Sequence, residues 1–395
     1  MSDLNYILSP KCIRDGAQKI FDETLKGNTH FRYHPEKLSS TVDLVMEVTR
    51  KNYPDLNIPF HSRWGHIRAG KVERLATIDD KFEHEAYLER VRIMWDLIIP
   101  SVLLDAGAGK DWKYNEAMTG KTFDRSEGLG VASFHLFKSG AFSSDGKSLR
   151  SDSTGLKNVT AGKIAEAFQV SETNPLVGVE GRAQLLRNLG SACENKTYFK
   201  DGRPGNLIDY IVEKFGKQNP IPAEGILRAV LDALGPIWPG REKLDGVNLG
   251  DVWRHSKYGL IAFHKLSQWM TYSLVEPIVY SGMKVDGSEK LTGLAEYRNG
   301  GLMIDSGLIS FSNPEDGTKN WEPSSDLIIE WRALTVYLLD RIGEQVQKNL
   351  GKTPQEFPLA MVLEGGTWWA GRRLASELRP GGVPPLNIIS DGTVF

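Results

Sequence analysis

The sequence has few cysteines and no excess of charge of one sign. Its two cysteines, Cys12 and Cys193, lie far apart and form no CxxC pair, which excludes a disulfide framework and a thiolate metal cluster. The 48 lysines and arginines nearly balance the 50 aspartates and glutamates, and a formal charge of -2 gives no positive field for a phosphate backbone. We therefore expect no duplex nucleic acid as a partner.

Long apolar runs are also missing. No stretch is long and apolar enough to cross a bilayer, and the N-terminal segment MSDLNYILSPKCIRD lacks the apolar core of a signal peptide. The sequence therefore predicts no membrane partner and a cytoplasmic location.

Familiar catalytic and cofactor motifs are incomplete. Lys110 resembles the lysine that ends a P-loop, but Leu104 stands in place of the first glycine and Asp111 in place of Ser or Thr. The GxG that begins at Gly128 has Ser133 where a dinucleotide fingerprint has its third glycine. There is no GxSxG, and the eight histidines show no metal-ligand spacing. The sequence therefore indicates no cofactor and no metal site, and it does not decide whether a metal is bound.

Helical periodicity covers most of the 395 residues, whereas strand signals are few and short. The fold is therefore expected to be mainly α, either one domain over residues 1–395 or two lobes, about 1–200 and 201–395, with the site between them. Thr77 is a plausible N-cap for a helix that continues to about residue 102. Further helices are expected near 12–26, 38–51, 128–139, 176–192, 221–234, 256–276, 326–348 and 367–378.

The segment LTGLAEYRNGGLMID, residues 291–305, concentrates charge between glycines. It sets Glu296 and Arg298 before Gly300 and Gly301 and ends on Asp305. Such a glycine-flanked segment reads as a charged loop that brings a carboxylate to a small ligand.

Two other polar groups interrupt apolar sequence. Trp112, Arg125 and Glu127 combine an aromatic wall with orienting charges, as a ligand pocket does, although a solvated loop with an aromatic anchor has the same composition. His264 and Gln268 share one face of a predicted helix, and a row of satisfied polar groups between helices is the alternative.

A late helix carries two charges within apolar sequence. Glu330 and Arg332 must be paired or functional if they are buried there. An ordinary intramolecular ion pair is the alternative to a role in a site.

Four long blocks carry a family resemblance: LLDAGAGKDWKYNE, RSEGLGVASFHLF, HKLSQWMTYSLVEP and LTGLAEYRNGGLMIDSGLI. Together they resemble the uracil catabolism protein four family, long catalogued as a domain of unknown function. The resemblance spans most of the chain. It implies a pathway that degrades uracil through a nucleotide and opens the ring, so that a ribosylurea phosphate must lose its urea.

A more distant resemblance is to the queuosine-nucleotide glycosidases, which are helical relatives of helix-hairpin-helix DNA glycosylases. The similar series is LLD at 103–105, Lys265 with Gln268, the triplet 296–298 and Glu-Trp-Arg-Ala at 330–333. Glu replaces Asp before Tyr-Arg, and Asn-Gly-Gly at 299–301 replaces Val-Pro-Gln. The resemblance implies a multi-helical globular fold distantly like these glycosylases.

The two resemblances together imply an N-glycosyl hydrolase that releases urea from phosphoribosylurea, a small nucleotide-derived substrate. Cleavage of a ribosyl C–N bond needs a carboxylate at the anomeric carbon, and Glu296 is the candidate. Tyr297 or Asp305 would orient the ribose hydroxyls or the water, and Arg298 would hold Glu296 or contact phosphate. The expected contacts to the rest of the substrate and its supporting network come from His264, Lys265, Gln268, Trp112, Arg125, Glu127, Glu330 and Arg332.

Two other function classes stay open. One is an amidohydrolase that acts on a ureido intermediate of the same pathway, although no nucleophile or metal motif supports it. The other is a non-catalytic nucleotide-binding protein. The sequence does not decide the oligomeric state.

Overall fold

The computed structural model describes residues 3–79, 85–105, 107–216, 219–238 and 242–389. Helices dominate them, which confirms a mainly α fold. The α-helices are α1 Leu4–Ile7, α2 Pro10–Leu25, α3 Leu38–Asn52, α4 Arg63–Ile67, α5 Ala76–Asp79, α6 Tyr87–Leu103, α7 Arg125–Lys138, α8 Ser153–Lys157, α9 Ala161–Ala167, α10 Val179–Ala192, α11 Leu207–Phe215, α12 Ala223–Leu234, α13 Lys265–Tyr280, α14 Tyr297–Asp305, α15 Asp326–Leu350, α16 Leu359–Val362 and α17 Trp368–Leu378.

The strands are short and pair only two at a time within the described ranges. They are β1 Phe31–Tyr33, β2 Lys113–Glu116, β3 Lys121–Asp124, β4 Ile221–Pro222, β5 Lys243–Leu244, β6 Val247–Asn248, β7 Val252–His255, β8 Gly259–Ala262, β9 Val285–Asp286, β10 Ile309–Phe311, β11 Asn320–Trp321 and β12 Asn387–Ile388. Antiparallel pairs are β1–β10, β2–β3, β5–β6 and β7–β8, and parallel pairs are β4–β9 and β11–β12.

The chain divides into two compact units. The first unit draws its described residues from the ranges 3–61, 242–268 and 287–389, and the second from 62–238 and 269–286. Both units are therefore discontinuous in sequence, and residue 200 lies inside the second.

The first unit is built around α15, which is buried along most of its length. On one side Phe21 of α2 stacks on Tyr337, with ring centroids 3.9 Å apart. On another side the Trp331 indole N–H donates to the carbonyl of Gly300 in α14 at 3.0 Å. Gly351 ends α15 in the left-handed conformation (φ 63°), where glycine has no side-chain clash. The α15 helix thus fixes the position of α14.

A π-helical turn, Leu363–Thr367, joins α16 to α17 in the first unit. Glu364 in this turn accepts hydrogen bonds from Tyr53 Oη at 2.9 Å and from His61 Nδ1 at 2.8 Å. Gly366 lies so close to α3 that a Cβ there would come within 2.5 Å of the Thr49 hydroxyl. The turn therefore packs directly on α3.

The second unit has α6 as its central helix. Nearly every residue of α6 from Val91 onward is buried, including Trp95, whose indole N–H donates to the Leu274 carbonyl at 3.2 Å. Gly128 of α7 lies against the ring of buried Trp112. Apolar side chains all round a helix are expected when the helix lies inside a core.

Most of the expected helices are confirmed within a few residues of their ends. These are α2, α3, α7, α10, α12, α15 and α17. The helix expected from Thr77 is shorter than predicted, because Thr77 belongs to α5 and the long helix begins at Tyr87; part of the predicted range, 80–84, lies outside the described residues.

The helix expected over 256–276 was wrong for residues 256–264. There the chain forms the β7–β8 hairpin, and α13 begins only at Lys265. Gly259 adopts φ 81° in the turn, a conformation that ends any helix and favours a hairpin.

Candidate functional site

Glu296 is the N-cap of α14. Its two carboxylate oxygens accept the backbone N–H groups of Arg298, at 2.7 Å, and Asn299, at 2.5 Å. The side chain is 7% exposed. Free N–H groups and the helix dipole stabilise negative charge at this end of a helix. Each oxygen keeps a lone pair beyond the capping bond, so the carboxylate can still accept from a ligand or water.

The expectation of a loop over 291–305 holds for 291–296 but was wrong for the rest, because Tyr297–Asp305 is helical. Its glycines serve close packing instead of chain flexibility. A Cβ on Gly300 would lie 2.6 Å from the Trp331 ring, and a Cβ on Gly371 of α17 would clash with the Arg298 carbonyl. Two neighbouring helices therefore press on α14 where it carries Glu296.

The other charged residues of α14 have structural partners. Arg298 donates to the Gly382 carbonyl at 2.8 Å, and its guanidinium lies 5.0 Å from the centroid of the Tyr297 ring. Asp305 forms a two-pronged ion pair with Arg379, with distances of 2.8 and 2.5 Å. This pairing opposes the expected role of Asp305 in orienting water, since both of its oxygens already hold a guanidinium.

Two fully buried amides flank the segment that leads into α14. Gln268 Oε1 accepts from the Thr292 N–H, and Asn299 Nδ2 donates to the Leu294 carbonyl, both at 3.4 Å. Gln268 Nε2 and Asn299 Oδ1 have no hydrogen-bond partner in the part of the chain that the structure describes. Asn299 was missed in the sequence, where it stood out only as a departure from a motif.

His264 precedes α13 and is buried, with a left-handed φ of 46°. Its Nε2 lies 3.0 Å from the Ile7 carbonyl oxygen, which can only accept, so Nε2 carries the proton. Burial lowers the pKa of the ring, which keeps it neutral. Nδ1 then offers a lone pair, and it has no partner across the described ranges. Lys265, the next residue, donates its backbone N–H to Asp251 at 2.9 Å.

Arg332 forms an ordinary intramolecular ion pair, which was the alternative to a role in a site. It binds both oxygens of Asp251, at 2.8 and 2.7 Å, and its guanidinium lies 4.0 Å from the centroid of the Phe263 ring. Burial alone would raise the pKa of Asp251, but Arg332 and the Trp253 indole N–H hold it well below its usual range. Arg332 therefore fixes the segment before α13 to α15.

Glu330 has different hydrogen-bond partners from Arg332. One oxygen accepts from the backbone N–H of His30 at 2.7 Å and from His30 Nδ1 at 2.8 Å; the other accepts from His255 Nε2 at 3.1 Å. The Lys257 N–H donates to His255 Nδ1, so His255 Nε2 is the protonated nitrogen. The hydrogen bond to Glu330 raises the pKa of His30. Neither histidine was a candidate in the sequence.

The candidates Trp112, Arg125 and Glu127 lie in the second unit. Trp112 is a core residue that donates to the Phe168 carbonyl at 2.9 Å, which fits an aromatic anchor better than a pocket wall. Arg125 and Glu127 are half-buried in the first turn of α7. Arg125 has a left-handed φ of 49°, which is uncommon for a residue other than glycine.

A buried arginine cluster in the second unit was missed in the sequence. The Arg63 guanidinium is fully buried, donates to the Ser101 hydroxyl at 2.7 Å and pairs with Asp105. Burial lowers the pKa of Arg63, and Asp105 partly offsets this. Burial also lowers the pKa of Arg182 to about 10. The only signal in the sequence was the LLD at 103–105, which ends on Asp105 and was noted only for its resemblance to the queuosine-nucleotide glycosidases.

No group of three or more His, Cys, Asp and Glu side chains among the described residues is arranged to hold a metal ion. No helix there has the length and apolar character to span a bilayer.

Comparison with known proteins gives matches over nearly the whole chain. The profile of a family described as "Protein of unknown function (DUF1688)" matches residues 6–395. "Protein urg3" of Schizosaccharomyces pombe is 40% identical over 403 residues, 98% of this chain and 98% of the relative. "Uracil catabolism protein 4" of Lachancea kluyveri is 35% identical over 436 residues, 99% of each chain.

These matches agree with the four sequence blocks on which the first resemblance was based. Both relatives are similar from end to end, so the likeness is not confined to one unit or one motif. The chain therefore belongs to the DUF1688 family, together with uracil catabolism protein 4.

Proposed function

We propose that this protein acts in the breakdown of uracil and hydrolyses the N-glycosidic bond of phosphoribosylurea, which releases urea and ribose phosphate. The likeness to a relative named "Uracil catabolism protein 4" supports the pathway. The observation that carries the reaction is the Glu296 carboxylate, buried and held by two N–H groups beside buried amides with unused hydrogen-bonding capacity.

The proposed reaction is a displacement at the anomeric carbon. The C–N bond breaks, its electron pair leaves with the urea nitrogen, and that nitrogen takes a proton from the solvent, which is balanced by the proton that the attacking water gives up. Water adds its oxygen to the anomeric carbon and loses a proton to Glu296. The carboxylate also stabilises the oxocarbenium-like sugar electrostatically. Since both oxygens of Asp305 are paired with Arg379, Tyr297 is the better candidate for orienting the ribose or the water.

The likeness to helix-hairpin-helix glycosylases is part of this proposal. A mainly helical chain is compatible with it, and so is the placement of Glu296 at a helix start. The rest of the queuosine-glycosidase series has mixed support. Gln268 lies beside the segment before α14, whereas Arg332 is committed to Asp251.

The test is incubation of the purified protein with phosphoribosylurea, ribosylurea and ordinary nucleotides, with mass spectrometry for urea, free base and sugar. We expect urea and ribose 5-phosphate from the first compound and no free base from the nucleotides. Ammonia and a carbamate would support the amidohydrolase instead. Binding without turnover would support the non-catalytic protein.

Variants of Glu296 separate catalysis from helix capping. Glu296→Gln loses one of the two capping bonds, because the amide nitrogen cannot accept; it should destabilise the protein by about 1 kcal/mol. Glu296→Asp keeps a good N-cap but withdraws the carboxylate by about 1.5 Å, one C–C bond. We expect both to lower kcat, roughly 10²- to 10⁴-fold for Gln.

Asp152→Asn is the matched control for these variants. Asp152 caps α8 through the Gly155 N–H at 2.9 Å and is 8% exposed, close to the exposure of Glu296. It should lose stability with no loss of kcat. Wild-type kcat in Glu296→Asp would show that Glu296 is only a cap.

A further inference from the structure

The polar atoms around the segment before α14 form a hydrogen-bonding pattern. Gln268 Nε2 is a donor, whereas Asn299 Oδ1 and His264 Nδ1 are acceptors. All three side chains are at least 99% buried. Buried polar groups in folded proteins are nearly always hydrogen-bonded, because an unpaired one has lost its water without compensation. These three atoms therefore have hydrogen-bonding capacity that a polar ligand can use.

Two of the three side chains bind one short stretch of backbone, and the third lies one helical turn from Gln268. The Gln268 and Asn299 amides bind the backbone at Thr292 and Leu294, which are only two residues apart and so within about 7 Å along the chain. The Glu296 N–H donates to the same Leu294 carbonyl at 2.9 Å, which keeps this stretch compact. His264 lies one helical turn before Gln268, and its carbonyl accepts the Gln268 N–H at 2.9 Å.

One donor and two acceptors exclude an anion as the occupant. A carboxylate or a fully ionised phosphate offers acceptors alone and would leave Asn299 and His264 unpaired. A planar group with one carbonyl oxygen and N–H groups on both sides satisfies all three atoms. A ureido group has this arrangement.

We propose that Gln268, Asn299 and His264 bind the ureido group of the substrate, with Gln268 donating to its carbonyl oxygen and the other two accepting from its N–H groups. This rests on the proposed function, in which urea is the leaving group. Asn299 also donates its backbone N–H to Glu296. The residue that binds the leaving group is therefore hydrogen-bonded to the carboxylate that acts on the sugar.

The probe is N-methylurea, titrated into the full-length protein and followed by saturation-transfer NMR. Acetamide keeps one N–H group beside the carbonyl, and acetone keeps the carbonyl alone. We expect affinity to fall in the order N-methylurea, acetamide, acetone. Gln268→Met and Asn299→Leu should each weaken N-methylurea binding roughly tenfold, about the worth of one well-made buried hydrogen bond. Asn299→Asp, which keeps an acceptor at Oδ1, should bind better than Asn299→Leu.

Gln347→Met is the matched control. Gln347 is a buried glutamine of the same unit whose Nε2 donates to the Phe357 carbonyl at 2.9 Å. Its replacement should lower the melting temperature and leave N-methylurea affinity unchanged. Gln268→Met should weaken N-methylurea binding as well as lower the melting temperature, because it removes the unpaired Nε2 together with the Oε1 that accepts from the Thr292 N–H.

The outcomes separate this inference from the proposed function. If Gln268→Met and Asn299→Leu weaken N-methylurea binding but the protein does not turn over phosphoribosylurea, the ureido site is supported and the glycosidase function is refuted. Turnover with unchanged substrate affinity in Gln268→Met and Asn299→Leu would overturn the ureido site alone. Equal binding of acetone and N-methylurea would overturn it as well.

Discussion

Glu330 is a buried acid, and one of its two histidine partners, His30, is half-exposed to solvent. His30 reaches one of its oxygens with both a backbone N–H and the ring Nδ1, and His255 reaches the other. The pairing with His255 is enclosed, whereas the His30 side chain is 40% exposed. Protons can therefore reach this array through His30.

This array predicts a pH dependence of stability. Glu330 raises the pKa of His30 above its usual 6.5, so folding favours the protonated ring. The resulting stabilisation is fully present below pH 6.5 and is lost as the pH rises through the higher pKa of the folded state. We expect His30→Gln to lower the melting temperature more at pH 5.5 than at pH 8.5.

Two measurements check this expectation. The His30 imidazole can be titrated by NMR, and melting temperatures can be compared for wild type and variant at both pH values. A difference that does not change with pH would mean that Glu330 does not stabilise the charged ring.

At the scale of an element, α14 owes its position to close packing at glycine. Gly300 lets the helix approach the Trp331 indole more closely than any side chain permits. A methyl group there must displace a tryptophan that is itself hydrogen-bonded to α14.

Gly300→Ala is therefore expected to destabilise the protein by about 1–3 kcal/mol, as overpacking of a core does. Gly181→Ala is the control, since Gly181 lies within α10 and a Cβ there meets nothing within 4 Å. The control should gain up to about 1 kcal/mol from helix propensity. Differential scanning calorimetry gives both values, and equal effects of the two substitutions would contradict the packing argument.

The sequence predicted elements better than partners. Apolar periodicity is a local property, and it located α2, α15 and most other helices. The partners of charged residues are remote in sequence: Arg332 pairs with Asp251, 81 residues away, and Asp305 with Arg379, 74 residues away. No local pattern carries such pairings.

Glycine was the main source of error at this scale. The same residue type marks a hairpin turn at Gly259 and a tight helix contact at Gly300. Only the neighbouring helix distinguishes these two uses, and it comes from another part of the sequence. Glu296 was identified as a candidate, but its role as a cap also depends on α14 being helical.

At the scale of the whole molecule, the units do not follow chain order. The described residues of the first unit come from three separate ranges and those of the second from two, and α13 contributes residues 265–268 to the first and 269–280 to the second. A cut near residue 200 therefore supplies neither unit completely. We expect fragments 1–200 and 201–395, expressed alone, to lack the cooperative unfolding of the full chain.

Circular dichroism with thermal melting tests this expectation on the two fragments and the intact protein. Cooperative melting of either fragment would show that a continuous half of the chain can fold by itself.

The π-helical turn at Leu363–Thr367 has a consequence for the direction of the helix that follows it. A π turn adds one residue to an α-helix, and each residue of an α-helix turns the side chains by about 100°. That added residue sets the rotational phase of α17. With the phase changed by one residue, Gly371 would turn away from the Arg298 carbonyl and a residue with a side chain would take its place. The number of residues between the glycine pair at 365–366 and Gly371 thus determines which side of α17 faces α14. It keeps the glycine at the contact, so that α17 can pack closely against α14 and the Glu296 cap.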